Sequence, residues 1–144
     1  MDNRSIQRSL LFGAIVLAAA AGPSASAWAV LDTAPVITAN PNNLMVNTNT
    51  TLTGRHFPPA TTLRLVECSR TTWVVTQKPC DTNNTVTVTT SATGGFVTPF
   101  KAELCPGGIR VGPTAVRCYI GVPKPSGVDT LTLRAAVPIT VTYP

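Results

Sequence analysis

Four cysteines in two pairs of nearly equal spacing constrain this chain more than any other feature: Cys68 with Cys80, and Cys105 with Cys118. An even cysteine count in a short chain behind an export leader reads as a disulfide framework. The leader is expected at residues 1–27. Arg4 and Arg8 make a basic start, and Leu10 to Ala21 is an apolar run too short to span a bilayer comfortably. Pro23 breaks that run, and Ala25-Ser26-Ala27 offers small residues for cleavage before Trp28. The mature chain is then residues 28–144, a single secreted domain with no second apolar run. Four cysteines allow three pairings. Both successive pairs flank loops rich in turn residues, which favours Cys68–Cys80 and Cys105–Cys118. A bridge between sheets, such as Cys68–Cys118, is the immunoglobulin-type alternative.

Helix signals are nearly absent beyond the leader. Twelve of the chain's thirteen Pro and eight of its ten Gly lie there, with a wealth of Thr and Val, and point instead to short strands joined by turns. Strands are expected at 35–39, 50–54, 63–68, 85–89, 96–101, 116–122 and 139–143, with a short strand or extended loop at Trp73-Val74-Val75. Gly54 to Pro59 reads as a hinge, with Phe57 as the apolar plug beneath it. Side chains alternate along a strand, so Leu63 and Leu65 share one face and Arg64, Val66 and Cys68 the other. The leucines are expected in a core between two sheets, and the second face is where a cleft could lie. Val116, Cys118 and Ile120 likewise oppose Arg117 and Tyr119. Thr93-Gly94-Gly95 suggests a tight hairpin joining 85–89 to 96–101, with Pro99 marking an edge or bulge. Residues 103–114, with Pro106-Gly107-Gly108 and Gly112-Pro113, read as loop. Seven or eight short strands with turns between them predict an all-β fold, an immunoglobulin-like antiparallel sandwich.

The mature chain carries nine Lys or Arg against five Asp or Glu, a net charge of about +4. The cations are scattered, so the pattern is not that of a nucleic-acid-binding module, and DNA is expected as a partner only indirectly or weakly. A metal site lacks its residues: there is no C-x-x-C pair and one His, at position 56. Disulfide pairing would also remove a thiol nucleophile. His56 sits in a Pro-rich turn with no evident partner, and there is no G-x-S-x-G or H-E-x-x-H. Glu67 and Glu103 would meet as a carboxylate pair only by accident of folding. The chain is therefore read as a non-enzyme without a catalytic cofactor.

Several segments, in order, carry a family likeness: Ala34-Pro35-Val36, Gly54-x-x-Phe57, Leu63-x-Leu65-Val66-Glu67-Cys68, Cys80, Val86-Thr87-Val88 before a Gly turn, Cys118-Tyr119-Ile120-Gly121-Val122, and Pro138-Ile139-Thr140-Val141. In these the mature chain resembles the neocarzinostatin family of secreted actinomycete apoproteins. The resemblance implies a seven-stranded immunoglobulin-like sandwich, two sequential disulfides and a side cleft. In members that carry a chromophore, the cleft holds a reactive enediyne, which the protein protects and delivers to DNA. It also implies that Cys68 and Cys80 form the cleft floor, with Tyr119 and Gly121 at cleft positions.

This chain departs from the carriers at three points. Arg70 stands two positions after the first cysteine, where carriers have an aromatic residue, and Trp73 is the nearest substitute. Thr85 replaces an aromatic residue before the Val-Thr strand, and the second disulfide loop is longer. The aromatic surface that would stack on a flat polyene is thereby thinned.

The ligand-contact residues expected from both readings are Val66, Cys68, Trp73, Cys80, Phe100, Tyr119 and Gly121, lining a preformed apolar concavity for a hydrophobic small molecule. The expected function is to bind and protect an enediyne-type chromophore, with an antibacterial, DNA-damaging role through that ligand, in a secreted monomer. The alternative is a ligand-free structural or adhesive module of the cell surface.

Overall fold

The computed structural model describes residues 33–144; the expected leader and residues 28–32 lie outside the described residues. The regular elements described are ten strands: β1 (Val36–Asn40), β2 (Asn43–Met45), β3 (Asn49–Arg55), β4 (Thr62–Cys68), β5 (Thr72–Val74), β6 (Cys80–Thr89), β7 (Phe96–Lys101), β8 (Ile109–Gly112), β9 (Ala115–Pro125) and β10 (Thr130–Thr142). They form two sheets. One has the order β1-β3-β7; the other runs β2-β10-β9-β4-β6, with β5 added to β10 and β8 added to β9. Pairing is antiparallel except between β2 and β10. The disulfides are the sequential pairs, Cys68–Cys80 and Cys105–Cys118.

Period-two alternation builds the core. Leu52, Leu65, Phe100, Ile120, Ile139 and Val141 all point between the sheets and are almost fully buried. In β3, Thr51 lies outside while Leu52 lies inside, as the alternation requires. Strand β4 serves two layers. Leu63 and Leu65 enter the inter-sheet core, whereas Val66 and Cys68 join Trp73 and Leu133 in a second, smaller cluster. Pro99 lies in β7, an edge strand of the three-stranded sheet, where Pro is tolerated.

Three sequence expectations need correction. Strands β6 and β7 are not a hairpin: β6 pairs with β4 and β7 with β3, so residues 90–95 carry the chain from one sheet to the other. Alternation reports which residues share a face, and cannot report which sheet owns the strand. The crossing is braced against residues 57–61, which run from the expected hinge toward β4. Buried Thr90 donates its hydroxyl to Pro58 O (2.7 Å) and accepts from Thr61 N (2.8 Å). Phe57 N donates to Gly94 O (3.1 Å). Gly94 has φ +76°, and a Cβ there would collide with the Phe57 carbonyl, so glycine is required at this turn.

Residues 109–112, expected as loop, form β8 against β9. The C-terminal stretch, expected as a strand only at 139–143, is one 13-residue strand beginning at Thr130, with a bulge between Arg134 and Val137. The three short strands β2, β5 and β8 bring the count to ten, above the seven or eight expected.

Candidate ligand-binding cleft

Strands β4 and β9 pair over three residues only: Val66 with Gly121, Glu67 with Ile120, and Cys68 with Tyr119. Beyond Val66, β4 continues to pair with β6 as far as Thr62, and β9 continues to pair with β10 as far as Pro125. The two strands no longer pair with each other there. Pro123 and Pro125 carry no amide proton, so that part of β9 cannot supply a regular ladder to β4. The opening is a cavity of about 500 Å³. Arg64 and Val66 line it from β4, Val122 and Pro123 from β9, Leu131 from β10, and Cys80 and Thr82 from β6.

The segment between the first two cysteines covers this opening with Trp73, Val75, Gln77, Lys78 and Pro79. It is fixed at its base by the Cys68–Cys80 bridge and by Ser69 N donating to Pro79 O (2.9 Å). In its middle, β5 pairs with β10, Trp73 opposite Leu131. Leu133 N donates to Thr71 O (2.7 Å) and Val75 N to Asp129 O (2.9 Å), extending that junction at both ends. Trp73 is buried against Val66, Cys68 and Leu133, so its indole is a fixed wall of the cavity.

A second hollow of similar volume lies near His56, Gly54 and Phe96. Thr53, Arg55, His56, Ser91 and Thr93 line it beside the buried Phe96, and no disulfide-stapled segment roofs it.

Next to the cleft, on the opposite face of β4, Glu67 is fully buried. Its Oε2 accepts from Asn84 Nδ2 (3.0 Å) and from Glu103 N (2.9 Å), while Oε1 has no partner. Burial pushes its pKa up to about 7; the two hydrogen bonds pull down against this, and the charges of Glu103 and Asp81 push up. Asn84 reaches Glu67 because β6 makes an excursion. Pairing jumps from Val66–Thr85 to Glu67–Asp81, leaving residues 82–84 outside the ladder. Asp81 Oδ1 holds that excursion by accepting from the amides of Asn83 (2.9 Å) and Asn84 (3.3 Å). Glu103 meets Glu67 through its backbone amide, and its own carboxylate pairs with Lys101 Nζ at 3.3 Å.

Of the seven expected contact residues, Val66, Trp73 and Cys80 line the cavity, and Cys68 lies buried beside it as the disulfide partner of Cys80. The other three are elsewhere. Phe100 belongs to the inter-sheet core. Tyr119 packs against the same Val66–Cys68–Trp73–Leu133 cluster from the Cys68 end of the β4–β9 ladder, but does not line the cavity; it borders a separate hollow with Arg117, Asn42 and Pro138. Gly121 is buried under the β10 bulge, where a Cβ would come within 3.1 Å of Leu133 Cβ and Arg134 O. The sequence reading did not single out Leu131, Pro123 or Lys78. Arg64 was recognisable, since alternation puts it on the face of Val66. Arg70 is exposed and lines an adjoining hollow with Lys78, and it supplies nothing to the cavity itself.

No protein-family model and no curated protein matches the chain. Among solved structures it is similar to macromomycin, with a TM-score of 0.50 and 19% identity, over 77% of this chain and 100% of that one. At this identity the likeness establishes the architecture: the described domain has the all-β sandwich fold of macromomycin.

Proposed function

We propose that this chain is an exported, non-enzymatic protein that binds a hydrophobic small molecule in the cleft under the Cys68–Cys80 segment. The observation that carries this reading is the cavity of about 500 Å³, floored by a buried apolar cluster separate from the main core and roofed by a stapled loop. That size and lining suit an occupant bound mainly by burial of apolar surface in a preformed site. Two disulfides accord with a protein that leaves the reducing cytoplasm.

The neocarzinostatin resemblance and the macromomycin fold support a narrower version, in which the occupant is an enediyne-type chromophore. The protein would then shield a reactive molecule, and any antibacterial or DNA-damaging action would belong to the ligand. Trp73 supplies the one aromatic wall, in place of the residues that Arg70 and Thr85 displace.

Titration with hydrophobic polyenes, followed by tryptophan fluorescence in a Trp28→Phe background, tests the reading. Quenching or a spectral shift of Trp73 with saturation is the expected result. An unchanged spectrum across the series would overturn it.

A further inference from the structure

The cleft has a polarity that its apolar floor does not explain. The charged side chains that line it are Arg64 and Lys78, and no Asp or Glu joins them. Both residues are solvent-exposed, whereas Val66 and Trp73 are buried, so the cations stand toward the mouth. Neither has a carboxylate partner: the ion pair found among the described residues is Lys101–Glu103. Arg64 makes one long hydrogen bond, Nη2 to Thr82 O at 3.5 Å, which leaves most of its donors unused. The acids closest along the chain are occupied elsewhere. Glu67 faces away from the cleft into its own hydrogen bonds, and Asp81 caps the β6 excursion. Arg70 and Lys78 share the hollow that adjoins the roof, so the positive field continues outward from the mouth.

We propose that the occupant of this cleft is an apolar monoanion, its hydrocarbon or aromatic body on Val66 and Trp73 and its carboxylate or sulfonate held at the mouth by Arg64 and Lys78. This rests on the binding reading above and adds the charge class of the ligand. An uncharged molecule of the same shape would leave two unpaired cations over an apolar slot and gain nothing from them. A cationic one would be repelled at the entrance.

Two probes that differ by a single group test this: 1-anilinonaphthalene-8-sulfonate and its uncharged counterpart N-phenyl-1-naphthylamine. Each is titrated by its own emission and by energy transfer from Trp73 in the Trp28→Phe background, which reports proximity to the cleft. The sulfonate is expected to bind about tenfold tighter, as charge-assisted hydrogen bonds at a partly exposed site warrant. In the Arg64→Gln/Lys78→Gln double variant the ratio of the two affinities should fall to about one, and added salt should weaken the sulfonate more than the neutral probe. Equal affinities in the native protein, or a sulfonate affinity untouched by the double variant, would overturn the charge assignment alone. Energy transfer to neither probe would overturn the cleft reading and this inference together.

Discussion

Asn84 Nδ2 lies 3.0 Å from Glu67 Oε2 and donates to it, and the same amide donates to Lys101 O at 2.8 Å. One side chain from the β6 excursion thus joins β4, in the large sheet, to the end of β7, in the small one. The acid at the centre is buried and has one unpartnered oxygen, Oε1, which is where a proton would reside. Burial holds its pKa in the folded protein at about 7, above the ordinary 4.5 of the unfolded chain. Between those values the folded protein holds a proton that the unfolded chain has lost. Stability therefore falls as pH rises from about 4.5 to about 7 and is level on either side, the total loss being roughly 3 kcal/mol. Glu67→Gln should flatten this profile, leaving the variant more stable than the native protein at pH 8. Urea midpoints across pH check it; coincident profiles would mean that Glu67 is not the titrating group.

The two disulfides should separate stability from binding. Replacing Cys68 and Cys80 by Ala opens a loop of about a dozen residues and should cost roughly 3 kcal/mol by the chain-entropy argument. The fold should survive, because positions 68 and 80 remain partners in the β4–β6 ladder. Probe affinity should fall, because the base of the roof is no longer closed. Replacing Cys105 and Cys118, which are buried in the main core, should cost at least as much stability and leave the affinity of the folded protein unchanged. Urea melts and fluorescence titrations on both variants distinguish the two outcomes.

Gly54 lies opposite Phe96 across the β3–β7 pair, and a Cβ there would collide with the Phe96 ring, which covers the glycine. Gly54→Ala should therefore cost about 1–3 kcal/mol, the usual range for overpacking a filled core. Adding Phe96→Leu should recover part of that loss, so the pair should be non-additive in a double-mutant cycle. A neutral Gly54→Ala would show that the ring moves aside freely.

Much of the architecture was legible in single strands. The alternation Leu63, Leu65 against Arg64, Val66, Cys68 divided β4 correctly between two layers, and Val116, Cys118 and Ile120 were rightly assigned to one face of β9. What alternation cannot encode is the partner of a strand, and so β6 and β7 were joined as a hairpin that the chain does not make. The Pro- and Gly-rich stretch before Cys118 hid β8, since its pairing comes from β9 rather than from its own propensities. The cleft was half legible. Val66 followed from alternation, Cys80 from the cysteine framework and Trp73 as the nearest aromatic residue, whereas Leu131, Pro123 and Lys78 enter through the point where the β4–β9 ladder ends. Tyr119 lies on the same sheet face as Val66, and only the register shows that it faces the opposite end.

The most direct test of the account is a ¹H–¹⁵N correlation spectrum of the ¹⁵N-labelled protein titrated with N-phenyl-1-naphthylamine. The account predicts saturable shifts at the amides of Arg64, Val66, Cys80 and Leu131 and at the Trp73 indole, with Tyr119, Phe100 and Phe96 unmoved. Shifts centred on His56, Gly54 and Phe96, or no saturable shifts at all, would contradict a binding cleft beneath the Cys68–Cys80 segment.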